Sequence, residues 1–187
     1  MKKVLITSLL TTALALPVAA ADYTIDTKGA HASVNFKVSH LGYSYIQGRF
    51  NQFEGQFSYD ADNLEASQVS VTVDTTSLDS NHAERDKHLK SDDYINASKY
   101  STAKFVSTKV IKKADGRLTV SGDMTLHGIT KPAVIDAVFI GEGKDPWGGY
   151  RAGFEGTTRL NLAEYGIKGA STPSYVDLDI QIEGVRK

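Results

Sequence analysis

Hydrophobic side chains recur at every second position along most of this chain, the pattern of strands buried on one face and wet on the other. The cleanest run is Ala32, Val34, Phe36 and Val38, alternating with Ser33, Asn35 and Lys37. The same period returns at Val69, Val71 and Val73, at Leu118, Val120, Met124 and Leu126, at Tyr150, Ala152, Phe154 and Leu160, and at Val176, Leu178, Ile180 and Ile182. Less regular strands are expected around Ile46 to Tyr59, Phe105 to Ile111 and Val134 to Ile140. Between Phe50 and Phe53 the aromatic phase slips by one, which predicts a bulge or sharp bend at Asn51-Gln52.

Turn residues punctuate these runs at Asp60 to Asn63, Ala114 to Gly116, Gly128 to Pro132 and Gly141 to Gly149, and such short connections favour antiparallel neighbours. Alternation disappears only between Asp79 and Lys99. There Asn81-x-x-Glu84 reads as a helix N-cap with its capping partner, and Ser91 before Asp92 and Asp93 reads as the start of a second helix. One or two short helices are therefore expected between residues 80 and 98. About eight antiparallel strands with one helical excursion fit a closed barrel, which leaves no sheet edge exposed. A two-sheet sandwich satisfies the same alternation. No internal repeat or linker divides residues 22–187, so a single all-β domain is expected.

The N-terminus follows a different logic. Lys2 and Lys3 precede an apolar run from Val4 to Leu16, and Ala19-Ala20-Ala21 provides a small-residue cleavage signal, the layout of a secretory signal peptide. The run is shorter than the roughly 20 residues a membrane-spanning helix needs, and Pro17 ends it. Cleavage before Asp22 and residence in a bacterial periplasm are the expectation.

Composition then narrows the chemistry. The 187 residues carry 21 Lys and Arg against 22 Asp and Glu, which leaves no basic surplus for neutralising phosphates, so nucleic acid is excluded as an expected partner. With no cysteine, disulfides, thiolate metal sites and cysteine nucleophiles are ruled out. The five histidines, His31, His40, His82, His88 and His127, form no H-x-H or H-E-x-x-H pair, and no metal site is expected. Gly42-Tyr43-Ser44 lacks the second glycine of a nucleophile elbow, and no catalytic residues are assigned. The Arg85-Asp86-Lys87-His88-Leu89 segment is harder to place. Its helix is poor in apolar side chains, so either a salt bridge through Arg85 or Asp86 pins it, or Arg85 and His88 face a ligand head group.

Several blocks carry a family resemblance in order. They are Asp26-x-x-x-Ala30-His31-Ala32-Ser33-Val34-Asn35-Phe36-x-Val38-x-His40-Leu41-Gly42, Gly48-Arg49-Phe50-x-x-Phe53-x-Gly55, Arg85-Asp86-x-His88-Leu89-Lys90-Ser91, and Gly122-x-Met124-Thr125-Leu126-His127-Gly128-Ile129-Thr130-Lys131-Pro132. Asp74 to Leu78, Phe105-x-Ser107, and Arg159 followed by Tyr165-Gly166-Ile167 complete the set. Over essentially all of residues 22–187 the chain resembles the YceI-like family. The resemblance implies an extended, eight-stranded, lipocalin-like antiparallel barrel whose apolar cavity holds a polyisoprenoid lipid or an isoprenoid quinone as ligand, with no further cofactor. It implies a carrier or sequestering protein. An enzyme acting on an isoprenoid and a stress-protective binding module are the alternatives. The inward-facing set Val34, Phe36, Val38, Phe50, Phe53, Val71, Val120, Leu126, Phe154 and Ile180 would then line the cavity, with His40, Arg85 and His88 at its polar mouth. Transient membrane contact and oligomeric state are left open.

Overall fold

The computed structural model describes residues 20–168 and 174–187. The expected signal segment therefore lies outside the described residues, apart from Ala20 and Ala21. Eleven strands form one antiparallel sheet: β1 (Ala21–Ile25), β2 (Ser33–His40), β3 (Ser44–Phe50), β4 (Phe53–Tyr59), β5 (Gln68–Asp74), β6 (Leu78–Asp79), β7 (Thr102–Lys112), β8 (Leu118–Leu126), β9 (Ile129–Lys144), β10 (Tyr150–Asn161) and β11 (Tyr175–Arg186). Among the described residues one α-helix, α1 (Ala83–Leu89), lies between β6 and β7.

The pairing register reduces these eleven segments to eight long strands. Both β1 and β2 pair with β11, through Tyr23 opposite Arg186 and through Val34 opposite Ile180. They are two halves of one strand, interrupted at residues 26–32. Likewise β3 and β4 continue one another against β2 and β1, and β5 and β6 continue one another against β4 and β3. Each long strand then pairs only with its sequence neighbours, and β1 closes onto β11. The result is a closed up-and-down barrel.

The interruptions have local causes. The expected bend at Asn51-Gln52 lies beside a 3-10 turn at Thr75–Ser77 in the next strand. The two breaks satisfy each other, because Asn51 N donates to Ser77 O at 3.1 Å, Gln52 N to Ser77 Oγ at 2.9 Å, and Asp74 N to Gln52 O at 2.9 Å. Backbone groups that leave the ladder thus keep partners.

The structure departs from the expected elements at two turns and at two helix termini. The β8–β9 connection is a two-residue turn at His127-Gly128, both left-handed at φ 52° and 74°, so Ile129 to Pro132 already belong to β9. Pro132 is tolerated there because β10 joins β9 only from Asp136 onward, leaving no ladder partner on that side. The β9–β10 turn is likewise confined to residues 145–149. In the helical excursion, Asn81 takes a left-handed φ of 62° and His82 is the N-cap, its Nδ1 accepting from Arg85 N. Residues 92–95 form a turn instead of a second helix, and Ser91 Oγ donates back to His88 O at 2.7 Å, which closes the end of α1.

The core falls into two clusters. Toward one end, Tyr23 stacks on Phe57 with centroids 4.8 Å apart, and Phe154 meets Phe57, Tyr59 and Phe139 within 5.5 Å. Gly184 makes this possible, since a Cβ there would overlap the Phe57 ring. Burial pushes the Tyr23 and Tyr59 phenols up from their ordinary value. The other cluster gathers Phe105, Val110, Leu118, Val120, Met124, Leu160, Tyr165 and Ile167.

Candidate functional site

A cavity of about 490 Å³ occupies the barrel interior and is lined by members of both clusters. At liquid density that is space for roughly sixteen waters, far more than a packing defect. Its walls are almost wholly apolar: Val34, Phe36, Val38 and Phe50 on one side, Val71, Phe105, Val120 and Leu126 on another, with Phe154, Ile180 and Ile182 closing the circuit. These are the inward positions of the period-two runs. Nine of the ten wall positions expected from the sequence line this cavity. Phe53 does not. It packs against the Tyr23–Phe57 cluster instead.

His40, Arg85 and His88 all line the cavity, together with Leu41, Leu89, Tyr94 and Ile95. They mark its mouth, formed by the β2–β3 hairpin tip, α1 and the turn after it. The polar anchor of α1 is Ser80, which is 3% exposed. Ser80 N and Oγ both donate to Asp86 Oδ1, while Arg85 Nε donates to Ser80 Oγ at 2.7 Å and a terminal guanidinium nitrogen donates to Ser80 O. The helix is thus pinned through a serine hydroxyl and not by a direct Arg–Asp pair. Arg85 serves the anchor and the cavity together. Among the described residues no carboxylate oxygen lies within 4 Å of its guanidinium. His88 Nε2 lies 3.8 Å from Asp93 and its ring meets Tyr94 edge-on at 4.9 Å. Inside the cavity wall, Ser67 Oγ is buried with no hydrogen-bond partner among the described residues.

Sequence reasoning missed a second polar cluster. Arg151 Nη1 bridges Asp26 and Glu183, at 2.6 Å each, and its Nε reaches Asp145 at 2.8 Å. Asp26 also accepts from His31 and Gly29 N. The Arg151 guanidinium first, then His31 and the Gly29 amide, hold the Asp26 carboxyl well below the usual carboxylate range. Asp26, His31 and Glu183 are close enough together for a cation, yet Arg151 already supplies the positive charge among them. The cluster ties the residue 26–32 excursion to β10 and β11. It fixes the seam where the barrel closes.

A larger concavity, about 1500 Å³, runs over the outside of β9, β10, β11, β2 and β3. It is lined by Lys37, Arg49, Asp136, Arg159, Asp177 and Asp179, and Arg159 grips Asp177 with two hydrogen bonds. An apolar ligand gains nothing on such a wet, charged face. The interior hollow is the candidate binding site, and the fold and site together define a closed antiparallel barrel built around an apolar ligand cavity.

The chain belongs to the YceI-like domain family, which matches residues 23–184. A UPF0312 protein of Vibrio cholerae is 64% identical over 189 residues, covering all of both chains. The crystal structure of a Campylobacter jejuni YceI protein superimposes with a TM-score of 0.71 at 25% identity, covering 80% of this chain and 90% of that one. A polyisoprenoid binding domain from Saccharophagus degradans shares the fold, with a TM-score of 0.62 at 14% identity over 90% of this chain and 100% of that domain.

Proposed function

We propose that this protein is a periplasmic binding protein that holds a polyisoprenoid chain, as a polyprenyl lipid or an isoprenoid quinone, inside its barrel. The observation that carries this reading is the 490 Å³ interior hollow, whose walls are almost wholly apolar and whose mouth is lined by His40, Arg85 and His88. Such a site suits a long hydrocarbon with a polar head. Each isoprene unit removed from water contributes on the order of 4 kcal/mol gross, at about 0.8 kcal/mol per buried carbon, before the cost of ordering the chain. Affinity then follows chain length, and His40, Arg85 and His88 sense the head group. The name of the Saccharophagus relative supports the ligand class. Export is supported by the leader pattern of residues 1–21, and loss of Ala21 would remove only its pairing with Tyr59 from β1.

The test is native mass spectrometry of the protein purified from its own periplasm. The expected result is a polypeptide starting at Asp22 with bound masses that differ by whole isoprene units. Absence of the protein from the periplasmic fraction would refute export, a polypeptide retaining Met1 would refute cleavage before Asp22, a ligand-free protein under non-denaturing extraction would refute the binding role, and a chemically altered isoprenoid accumulating with time would replace binding by catalysis.

A further inference from the structure

The tip of the β2–β3 hairpin breaks two local rules at one residue. Leu41 and Gly42 form a two-residue turn with φ of 54° and 80°, closed by Tyr43 N donating to His40 O at 3.0 Å. The first position of such a turn favours Asn, Asp or Gly, since a left-handed backbone crowds a branched side chain. Leu41 is nevertheless there, and it is 53% exposed. Beside it Tyr43 is 87% and Tyr45 64% exposed, and on the adjacent β11 Tyr175 is 41% exposed. Leu41 also lines the cavity, so the hairpin tip joins the apolar interior to the outside.

Charge accompanies this apolar rim. The Lys37 amine sits 5.0 Å from the Tyr45 ring centroid and the Arg159 guanidinium 5.8 Å from that of Tyr175. One carboxylate, Asp177, faces both cations. We propose that this rim docks the cavity mouth onto the headgroup layer of a phospholipid bilayer, an inference that rests on the isoprenoid reading above. Leu41 and Tyr43 enter the interface, Tyr45 and Tyr175 lie in it, and Lys37 and Arg159 meet lipid phosphates. Tyrosines suit that boundary because one end of the ring is apolar and the other wet. The four side chains present roughly 500 Å² in all, taking about 200 Å² for each aromatic, which falls short of the roughly 800 Å² per partner of a stable protein interface. Docking there lets an isoprenoid pass between bilayer and cavity without crossing water.

The protein supplies its own orientation control. Its one tryptophan, Trp147, is 77% exposed in the β9–β10 turn at the opposite end, roughly 30 Å from the hairpin along β11 at about 3.3 Å per residue. The experiment is flotation of the full mature chain, without isoprenoid, with vesicles of phosphatidylethanolamine and phosphatidylglycerol. Wild type should float, Leu41→Asn and Tyr43→Ser should each float at least about tenfold less, and Trp147 emission should stay unshifted on vesicle addition. Leu41→Asn should also keep or raise the melting temperature, because Asn suits the left-handed turn, so the lost binding is not lost folding. Failure of the wild type to float, equal flotation of Leu41→Asn, a blue-shifted Trp147, or a wild-type dimer that Leu41→Asn dissolves would each overturn the proposal. Vesicle binding by a protein that takes up no isoprenoid would refute the cavity reading and leave the docking rim standing.

Discussion

Phe57 and Phe50 both border the cavity, but they differ in what lies behind them, and truncating each should separate stability from binding. Phe57 is 6% exposed, stacked on Tyr23 at 4.8 Å, and edge-on to Phe154 at 5.5 Å. Phe57→Ala opens a new void in packed surroundings, so both the lost burial and the cavity contribute, about 3–5 kcal/mol. Phe50 is only half-buried and has one aromatic neighbour, Phe36, at 5.8 Å. Its inner face already borders the hollow. Phe50→Ala therefore loses mainly the transfer contribution of a half-buried ring, about 1–2 kcal/mol. The difference of roughly 2 kcal/mol corresponds to about 4–8 °C in melting temperature for a domain this size. Binding should rank the other way, because Phe50 lies in the upper wall with Phe36 and Val38 whereas Phe57 belongs to the floor. The assay is urea denaturation of delipidated protein paired with titration of a long-chain isoprenoid. If Phe50→Ala proves as destabilising as Phe57→Ala, or if Phe57→Ala loses more affinity, the division into packed floor and hollow upper barrel is wrong.

Ser80→Ala removes the hydroxyl shared by Arg85 and Asp86 and should destabilise by about 1–3 kcal/mol, with amide exchange accelerating first in residues 83–89; unchanged exchange there would show that the serine does not hold the helix. Acid should loosen the barrel seam. The Asp26, Asp145 and Asp177 carboxyls are all held below their ordinary value, by Arg151 for the first two and by Arg159 for the third. Their contribution is therefore complete above the unfolded carboxylate pKa near 4 and is lost as pH falls toward the lower folded values. Melting temperature should drop below about pH 4 in the wild type, and Arg151→Met should flatten that drop while lowering stability at neutral pH; parallel curves for the two proteins would contradict the assignment.

Much of the barrel was legible because its information is local. Val34, Phe36 and Val38 declare their buried face by alternation alone, and the phase slip before Phe53 announces the bend that β3 and β4 contain. Closure is legible only through the family resemblance, since the pairing of Tyr23 with Arg186 that distinguishes barrel from sandwich leaves no mark in a period of two. The Asp26–Arg151 contact joins residues 125 positions apart, and nothing near either residue indicates the other. The helix was placed correctly but its cap was not, because Asn81 and His82 compete for the same role and the turn into Ser80 decides it. Phe53 was assigned to the cavity on phase alone. Phase fixes the face of a strand, not which inward side chains are taken up in packing against their neighbours, as Phe53 is by the Tyr23–Phe57 cluster.

Photo-crosslinking with a long-chain isoprenoid that carries a diazirine near its tail, followed by peptide mapping, reads where the chain lies in the barrel. Adducts are expected on interior side chains such as Val120, Phe154 and Ile180. Adducts confined to Lys37, Arg159 and Tyr175 on the outer concavity would contradict binding inside the barrel.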